Sequence, residues 1–164
     1  VPIYGGVVDE SRDSVVDVRV QRFTELAPEV AYRLWALRQA VFVVEQDCPY
    51  LDLDGRDLEP GTWHVWCADA AGEPVATLRV LDDGDVCRVG RVATARESRG
   101  RGLAAAMVRE VVERWGERDI VLDAQAHLVD WYAALGFVVD GRGFLEDGIP
   151  HVPMRRVAAP AATT

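Results

Sequence analysis

Lysine is absent from this chain: all 18 of its basic side chains are arginines. Alongside the many alanines, glycines and valines, this reads as compositional bias of the genome rather than as function. Basic charge is also scarce beside acidic charge, and the formal net charge is −9. A phosphate backbone needs a basic face to dock on, so nucleic acid is excluded as the main partner. No apolar run approaches the roughly 20 residues of a membrane-spanning helix, and no membrane partner is expected. Val1-Pro2-Ile3-Tyr4 has neither a basic region nor a hydrophobic stretch, so no secretory signal is expected there. Cysteine is limited to Cys48, Cys67 and Cys87, an odd number without CxxC spacing. Free thiols, buried or half-exposed, in a reducing cytoplasmic compartment are the expectation. His64, His127 and His151 are scattered along the chain, which argues against a zinc site. Two nucleotide-binding patterns are missing as well. There is no GxxxxGK(S/T), and Gly100 and Gly102 lack the third glycine of GxGxxG.

What is present suffices for one folded domain. Hydrophobic residues make up 49% of 164 positions, enough for a proper core, which is expected at about 15–157 with loose ends. The arginines are unevenly placed, with Arg88, Arg91, Arg96, Arg99 and Arg101 falling within one short stretch. The densest part is Arg96-Glu97-Ser98-Arg99-Gly100-Arg101-Gly102-Leu103-Ala104. A strand-like run, Cys87 to Thr94, precedes it. An amphipathic helix with Leu103, Met107, Val111 and Trp115 at helical spacing follows. Glycines let such a turn approach a ligand closely. The first amides of the helix have no internal partners, and the helix dipole adds partial positive charge there. Together these suit a phosphate or pyrophosphate. A plain solvated turn carries the same residue types. The acidity of the rest of the chain suits a cationic co-substrate such as an amine.

Taken in order, residues 1–13 lack periodicity. Val15 to Phe23 alternates as a first strand. Pro28 starts a helix with Val30, Leu34, Leu37 and Val41 as its buried stripe. Asp47 to Pro60 is a loop rich in turn residues, and most of its acidic groups are expected to be solvated. Thr62–Ala68 and Pro74–Leu81 form a hairpin around Ala71-Gly72, and Cys87–Thr94 continues an antiparallel meander. The helix from Gly102 to near Gly116 leads to a strand, Asp119–Gln125, through a parallel crossover. A short helix ending at Leu135 is closed by Gly136. Strands Val138–Arg142 and His151–Val157 flank a turn at Asp147-Gly148-Ile149-Pro150. The tail from Ala158 has no pattern. The whole is an α/β chain with a mixed sheet flanked by helices.

Several segments carry a resemblance. Arg99-x-x-Gly102-x-Ala104 fits the (Q/R)xxGx(G/A) pattern of the GNAT (GCN5-related) N-acetyltransferases. Tyr132-x-x-x-Gly136-Phe137 is similar to a second segment of that superfamily. Val41–Gln46, Cys48-Pro49-Tyr50, Gly90-Arg91-Val92, Ala124–His127 and Glu146–His151 together resemble its ElaA-like branch. The similarity runs from about Phe23 to Arg156, and several motifs in the right order are a strong signal.

The resemblance implies the GNAT (acyl-CoA N-acyltransferase) fold. It also implies transfer of an acetyl group from acetyl-CoA, as co-substrate, to the amine of a small molecule or peptide. On it, Arg99, Gly100, Arg101, Gly102, Leu103 and Ala104 hold the pyrophosphate. Val92, Ala93 and Thr94 hydrogen-bond the pantetheine arm in a gap beside the strand that starts near Ile120, and the Val92 amide faces the thioester oxygen. Gln125 is grouped with these cofactor-binding residues. Tyr132 matches the family's general acid. For the general base, Glu45, His64 and His127 are candidates, and a water chain is a fourth route. In Glu45, a half-buried carboxylate with a raised pKa is one expectation, and a salt bridge to an arginine such as Arg38 the other. Trp131 is expected to pack. Family members often form dimers, so a homodimer is a suggested assembly. Arg38-x-x-Val41-Phe42 is also similar to acyl-homoserine-lactone synthases, which share the fold. A non-catalytic acyl-CoA sensor is the reading from outside enzymology.

Overall fold

A computed structural model describes residues 16–160. The calls for loose residues 1–13 and for the last residues of the tail therefore lie outside the described residues. Strand β1 is Val18–Gln21, shorter than the alternating stretch. It stops because Phe23–Glu25 turns as a 3-10 helix, with the Glu25 carboxylate accepting from the Arg22 amide at 2.6 Å. Helix α1 is Pro28–Arg38 and has its proline in the first turn, where a missing N–H costs nothing. Leu34, Leu37 and Val41 of the expected stripe are buried. After Arg38 the helix widens into a π-helix over Gln39–Glu45.

Strands β2 (Trp63–Ala68), β3 (Pro74–Asp83) and β4 (Val86–Thr94) form the meander. Helix α2 is Leu103–Trp115, ending at Gly116. It crosses over to β5, Asp119–Gln125, which lies parallel to β4. A 3-10 turn at Ala126–Leu128 precedes α3, Val129–Ala133. Its end is closed by the Phe137 amide donating to the Tyr132 carbonyl, with Gly136 at φ 92. The remaining strands are β6 (Val138–Val139), β7 (Phe144–Glu146) and β8 (Ile149–Arg156).

Strand β7 was not expected, and β8 starts two residues earlier than the sequence suggested. The reason is local. Asp147 and Gly148 both take left-handed backbone, at φ 49 and 78, which lets a two-residue turn close a hairpin. Ile149 and Pro150 then pair with Glu146 and Leu145 instead of turning.

The sheet order is β1-β2-β3-β4-β5-β8-β6, with β7 on β8. On one face, Val65, Leu78, Val89, Ile120, Leu122 and Met154 pack against Met107, Val108 and Val111 of α2 and Tyr132 of α3. On the other, Trp66 packs against Leu34 of α1. One irregularity changes the alternation. Thr77 pairs with Ala93 but Arg79 with Gly90, so β4 carries one extra residue. Arg91, at φ 54, sits in that bulge. Before it Val89 faces α2, and after it Ala93 packs with Leu37 and Val41 on the α1 side.

Candidate functional site

Parallel pairing of β4 with β5 covers only Val86↔Asp119, Cys87↔Ile120 and Arg88↔Val121. Beyond Arg88 the two strands part, although both run on, to Thr94 and Gln125. The gap opens a cleft of roughly 960 Å³. Val92, Ala93 and Thr94 line one wall, Leu122 and Gln125 the other, and the α2 N-terminus closes one end.

At that end, Gly102 is the residue before α2 and holds φ 74, with Gly100 at φ 75. A side chain there would be strained by the backbone, although a Cβ would meet nothing within 4 Å. No side chain caps α2. The amides of Leu103, Ala104 and Ala105 therefore lack helical partners, and these residues border the cleft. This is an open, backbone-lined cradle with donors facing in, which fits a pyrophosphate. Arg99 also borders it, but its guanidinium is engaged. Nε donates to the Thr94 carbonyl at 3.0 Å, and Nη1 and Nη2 donate to the two Glu45 oxygens at 2.6 and 3.0 Å. Arg101 is exposed and donates to the Glu97 carbonyl at 3.4 Å, away from the lining.

Glu45 forms a salt bridge to an arginine, one of the two expectations, and overturns the other, a raised pKa. It is exposed at the end of the π-helix, and its carboxyl is held below the ordinary range by the hydrogen bond and charge of Arg99. Arg38, the other proposed partner, is 2% exposed and donates instead to Asp52 (2.8 Å) and Asp57 (2.7 Å). The Asp47–Pro60 loop is accordingly not a solvated acidic run. Asp52 and Asp57 are buried, and Asp54 accepts from Arg79 at 2.8 and 2.9 Å. Burial pushes the Asp57 carboxyl up, but Arg38, Arg79 and His64 outweigh it and hold it below its usual value. The missed signal was pairing with arginines 14 or more residues away, which no local pattern encodes.

Tyr132 reaches the cleft from α3, is 5% exposed, and stands edge-on to Trp131 and Phe137 at 4.8 and 5.9 Å. Burial pushes its phenol up to about 12, so the hydroxyl keeps its proton at neutral pH. Trp131 packs as expected and also borders the cleft. Gln125 donates to Gln46 at 3.3 Å, joining β5 to the segment after α1.

Of the proposed bases, Glu45 and His127 border the cleft and His64 does not. His64 is buried, lies 3.3 Å by Nε2 from the Asp57 carbonyl, and is pushed below its usual range by that burial. The side of the cleft facing away from α2 adds residues with no assigned role in the sequence reading. Tyr50 donates to Asp52 at 3.0 Å and lies under the Arg91 guanidinium. Arg79, Arg88, Asp123, Glu146, Asp147 and His151 complete this side. In the sequence, Glu146–His151 stands out only as a resemblance.

A family model described as "Acetyltransferase (GNAT) domain" matches residues 42–158. A UPF0039 protein of Mycobacterium tuberculosis is 46% identical over 136 residues, covering 80% of this chain and 87% of its own length. Protein ElaA of Escherichia coli is 39% identical over 142 residues, covering 81% and 91%. The crystal structure of that ElaA superposes with a TM-score of 0.79 over 86% of this chain and 99% of its own, at 35% identity. An acyl-CoA N-acyltransferase from Pseudomonas aeruginosa gives a TM-score of 0.80 at 38% identity, over 87% and 99%. The splayed strands, the glycine-capped α2 and these matches agree: the chain belongs to the GNAT acetyltransferase family, in the branch that includes ElaA.

Proposed function

We propose that the chain transfers the acetyl group of acetyl-CoA to a primary amine of a small molecule or peptide, by direct attack while both are bound. The observation that carries this is the union, in one cleft, of the α2 N-terminus with no side-chain cap, the stretch of β4 left unpaired by β5 and the residue Tyr132. The amides of Gly102, Leu103 and Ala104 take the pyrophosphate. Val92 to Thr94 offer the pantetheine arm the backbone hydrogen bonds that β5 does not use, and the Val92 amide stabilises charge on the thioester oxygen. Tyr132 protonates the leaving thiolate. Free thiols and use of acetyl-CoA suit the cytoplasm. A chain without lysine offers the reaction no ε-amine of its own.

Isothermal titration with acetyl-CoA tests the reading. Micromolar-range binding to the wild type, abolished by Gly102→Glu, is expected, because the new carboxylate and the strained backbone both oppose the pyrophosphate. Absence of binding to the wild type refutes it. Tyr132→Phe then separates an enzyme from a sensor: binding persists while turnover falls.

A further inference from the structure

One histidine on the side of the cleft facing away from α2 has no part in the chemistry above. His151 lies on β8 directly across from Gln125 of β5. Met154 of the same strand turns into the core shared with α2 and α3. Side chains alternate along a strand, so His151 is on the opposite face of the sheet. Tyr132 comes from the α3 side. The two residues thus border one gap from its two faces.

The ring of His151 is fixed before any substrate arrives. Nδ1 lies 2.8 Å from the carbonyl oxygen of Ile149. A carbonyl can only accept, so Nδ1 carries the hydrogen and donates it. In the neutral imidazole this leaves Nε2 bare. Phe144 stacks on the ring at 5.7 Å with 19° between planes. Both contacts come from the β7–β8 hairpin, which is tied to the rest of the cleft where the Cys48 thiol lies 3.7 Å from the Asp147 carbonyl. No other candidate base has this arrangement. Glu45 is bound by both oxygens to Arg99, His64 lies outside the cleft, and His127 is exposed with no side-chain hydrogen bond among the described residues. The charged groups sharing this side are Arg79, Arg88, Arg91, Asp123, Glu146 and Asp147.

We infer that His151 is the general base of the acyl transfer, its Nε2 taking the proton of the acceptor ammonium. The inference rests on the acetyl-transfer reading. The ammonium gives one proton to Nε2 and becomes a neutral amine. Its lone pair forms the C–N bond as the C–S bond breaks, and the sulfur leaves with that bond's electron pair. Tyr132 protonates the sulfur and is restored by the second proton lost from nitrogen as the amide forms. His151 returns its proton to solvent. One thioester and one ammonium give one amide, one thiol and one released proton.

His151→Asn is the informative variant. Its side-chain amide can still donate to the Ile149 carbonyl from near the Nδ1 position, but nothing remains where Nε2 stood. Acetyl-CoA affinity within about twofold of wild type and an unchanged melting temperature are expected. Turnover on a panel of primary amines (spermidine, tyramine and benzylamine), read as thiol release, should fall by roughly 10²–10⁴. His151→Gln serves the same purpose if the asparagine variant does not fold. Retention of more than a third of wild-type turnover overturns the assignment. Independently of turnover, long-range 1H–15N spectra of the acetyl-CoA complex report the tautomer. A bare Nε2 is expected, and a hydrogen on Nε2 of the neutral ring overturns the assignment even if no amine in the panel reacts. Failure of the wild type to bind acetyl-CoA is a different result: it removes the acetyl-transfer reading and the base with it.

Discussion

Arg38→Met removes one charge from the centre of a buried ionic cluster. Three arginines (Arg38, Arg79, Arg91) meet three aspartates (Asp52, Asp54, Asp57) there. Arg38 donates to both Asp52 and Asp57 and also to the Asp52 carbonyl at 3.1 Å. Without it, two cations face three carboxylates, and Asp57 keeps only the 3.3 Å contact with Arg79. Breaking a buried pair by deleting one partner costs about 3–5 kcal/mol. The new methionine regains part of that by packing, and Asp52 stays tied to Arg91 at 2.7 Å, so the lower end, about 3 kcal/mol, is expected. For a chain of this size that lowers Tm by roughly 6–12 °C. Urea unfolding at several pH values gives the sharper check. In the wild type the Asp57 carboxyl is depressed, so its stabilisation is present above the ordinary carboxylate pKa and is lost as pH falls through the lower, folded value. In the variant, burial dominates and raises the same group, so acid relieves the stranded charge. The difference in stability should therefore shrink as pH drops through the carboxylate range. A loss below about 1 kcal/mol at pH 7, or a loss independent of pH, would refute the view that Arg38 neutralises this cluster.

Glu45→Gln should free the Arg99 guanidinium for the pyrophosphate. Since exposed pairs are worth about 0.2–1 kcal/mol, acetyl-CoA should bind up to about fivefold more tightly by titration, and weaker binding would make Glu45 a positioning residue instead. Gly102→Ala should cost about 1–2 kcal/mol in urea unfolding, because only the left-handed backbone at φ 74, and no crowding, opposes the methyl. Tyr132→Phe should leave Tm within about 2 °C of wild type, since no hydrogen bond to its hydroxyl is made among the described residues. In the wild type the phenol, pushed up to about 12, should impose no decline in turnover at pH 9–10. The three buried thiols should resist a disulfide reagent in the native protein and all react in urea.

The parts of this molecule governed by short-range pattern were legible in its sequence. The α1 stripe, the meander, the crossover through α2 and the glycine-rich turn follow from periodicities and breakers within a few residues of each other. Tyr132 and the β4 wall came from motif resemblance, and they do border one cleft. The π-helix at Gln39–Glu45 was not legible, because its sequence reads equally well as helix or strand. Nor was the bulge at Arg91, which is one residue of register between β3 and β4. The ionic cluster was missed for the opposite reason. A loop with five acidic residues looks solvated until the arginines that fold onto it are known. His151 is visible within Glu146–His151, but its ring orientation depends on a hairpin whose two-residue turn looks in the sequence like a turn of four.

Only three residue pairs join β4 to β5, and they lie at one end of both strands. The sheet is therefore two half-sheets sharing a short seam at Val86–Arg88, with β1 to β4 on one side and β5 to β8 on the other. Helix α2 shares one core with strands of both halves. A small rotation about the seam changes the width of the gap in proportion to distance from it, and the far end is where Gln46 meets Gln125 at 3.3 Å. That amide contact, like the one between the Cys48 thiol and the Asp147 carbonyl, lies well away from the seam. It senses the angle between the halves more sensitively than any contact near the seam, and backbone hydrogen exchange along Val89–Thr94 should report the same angle from within the strand.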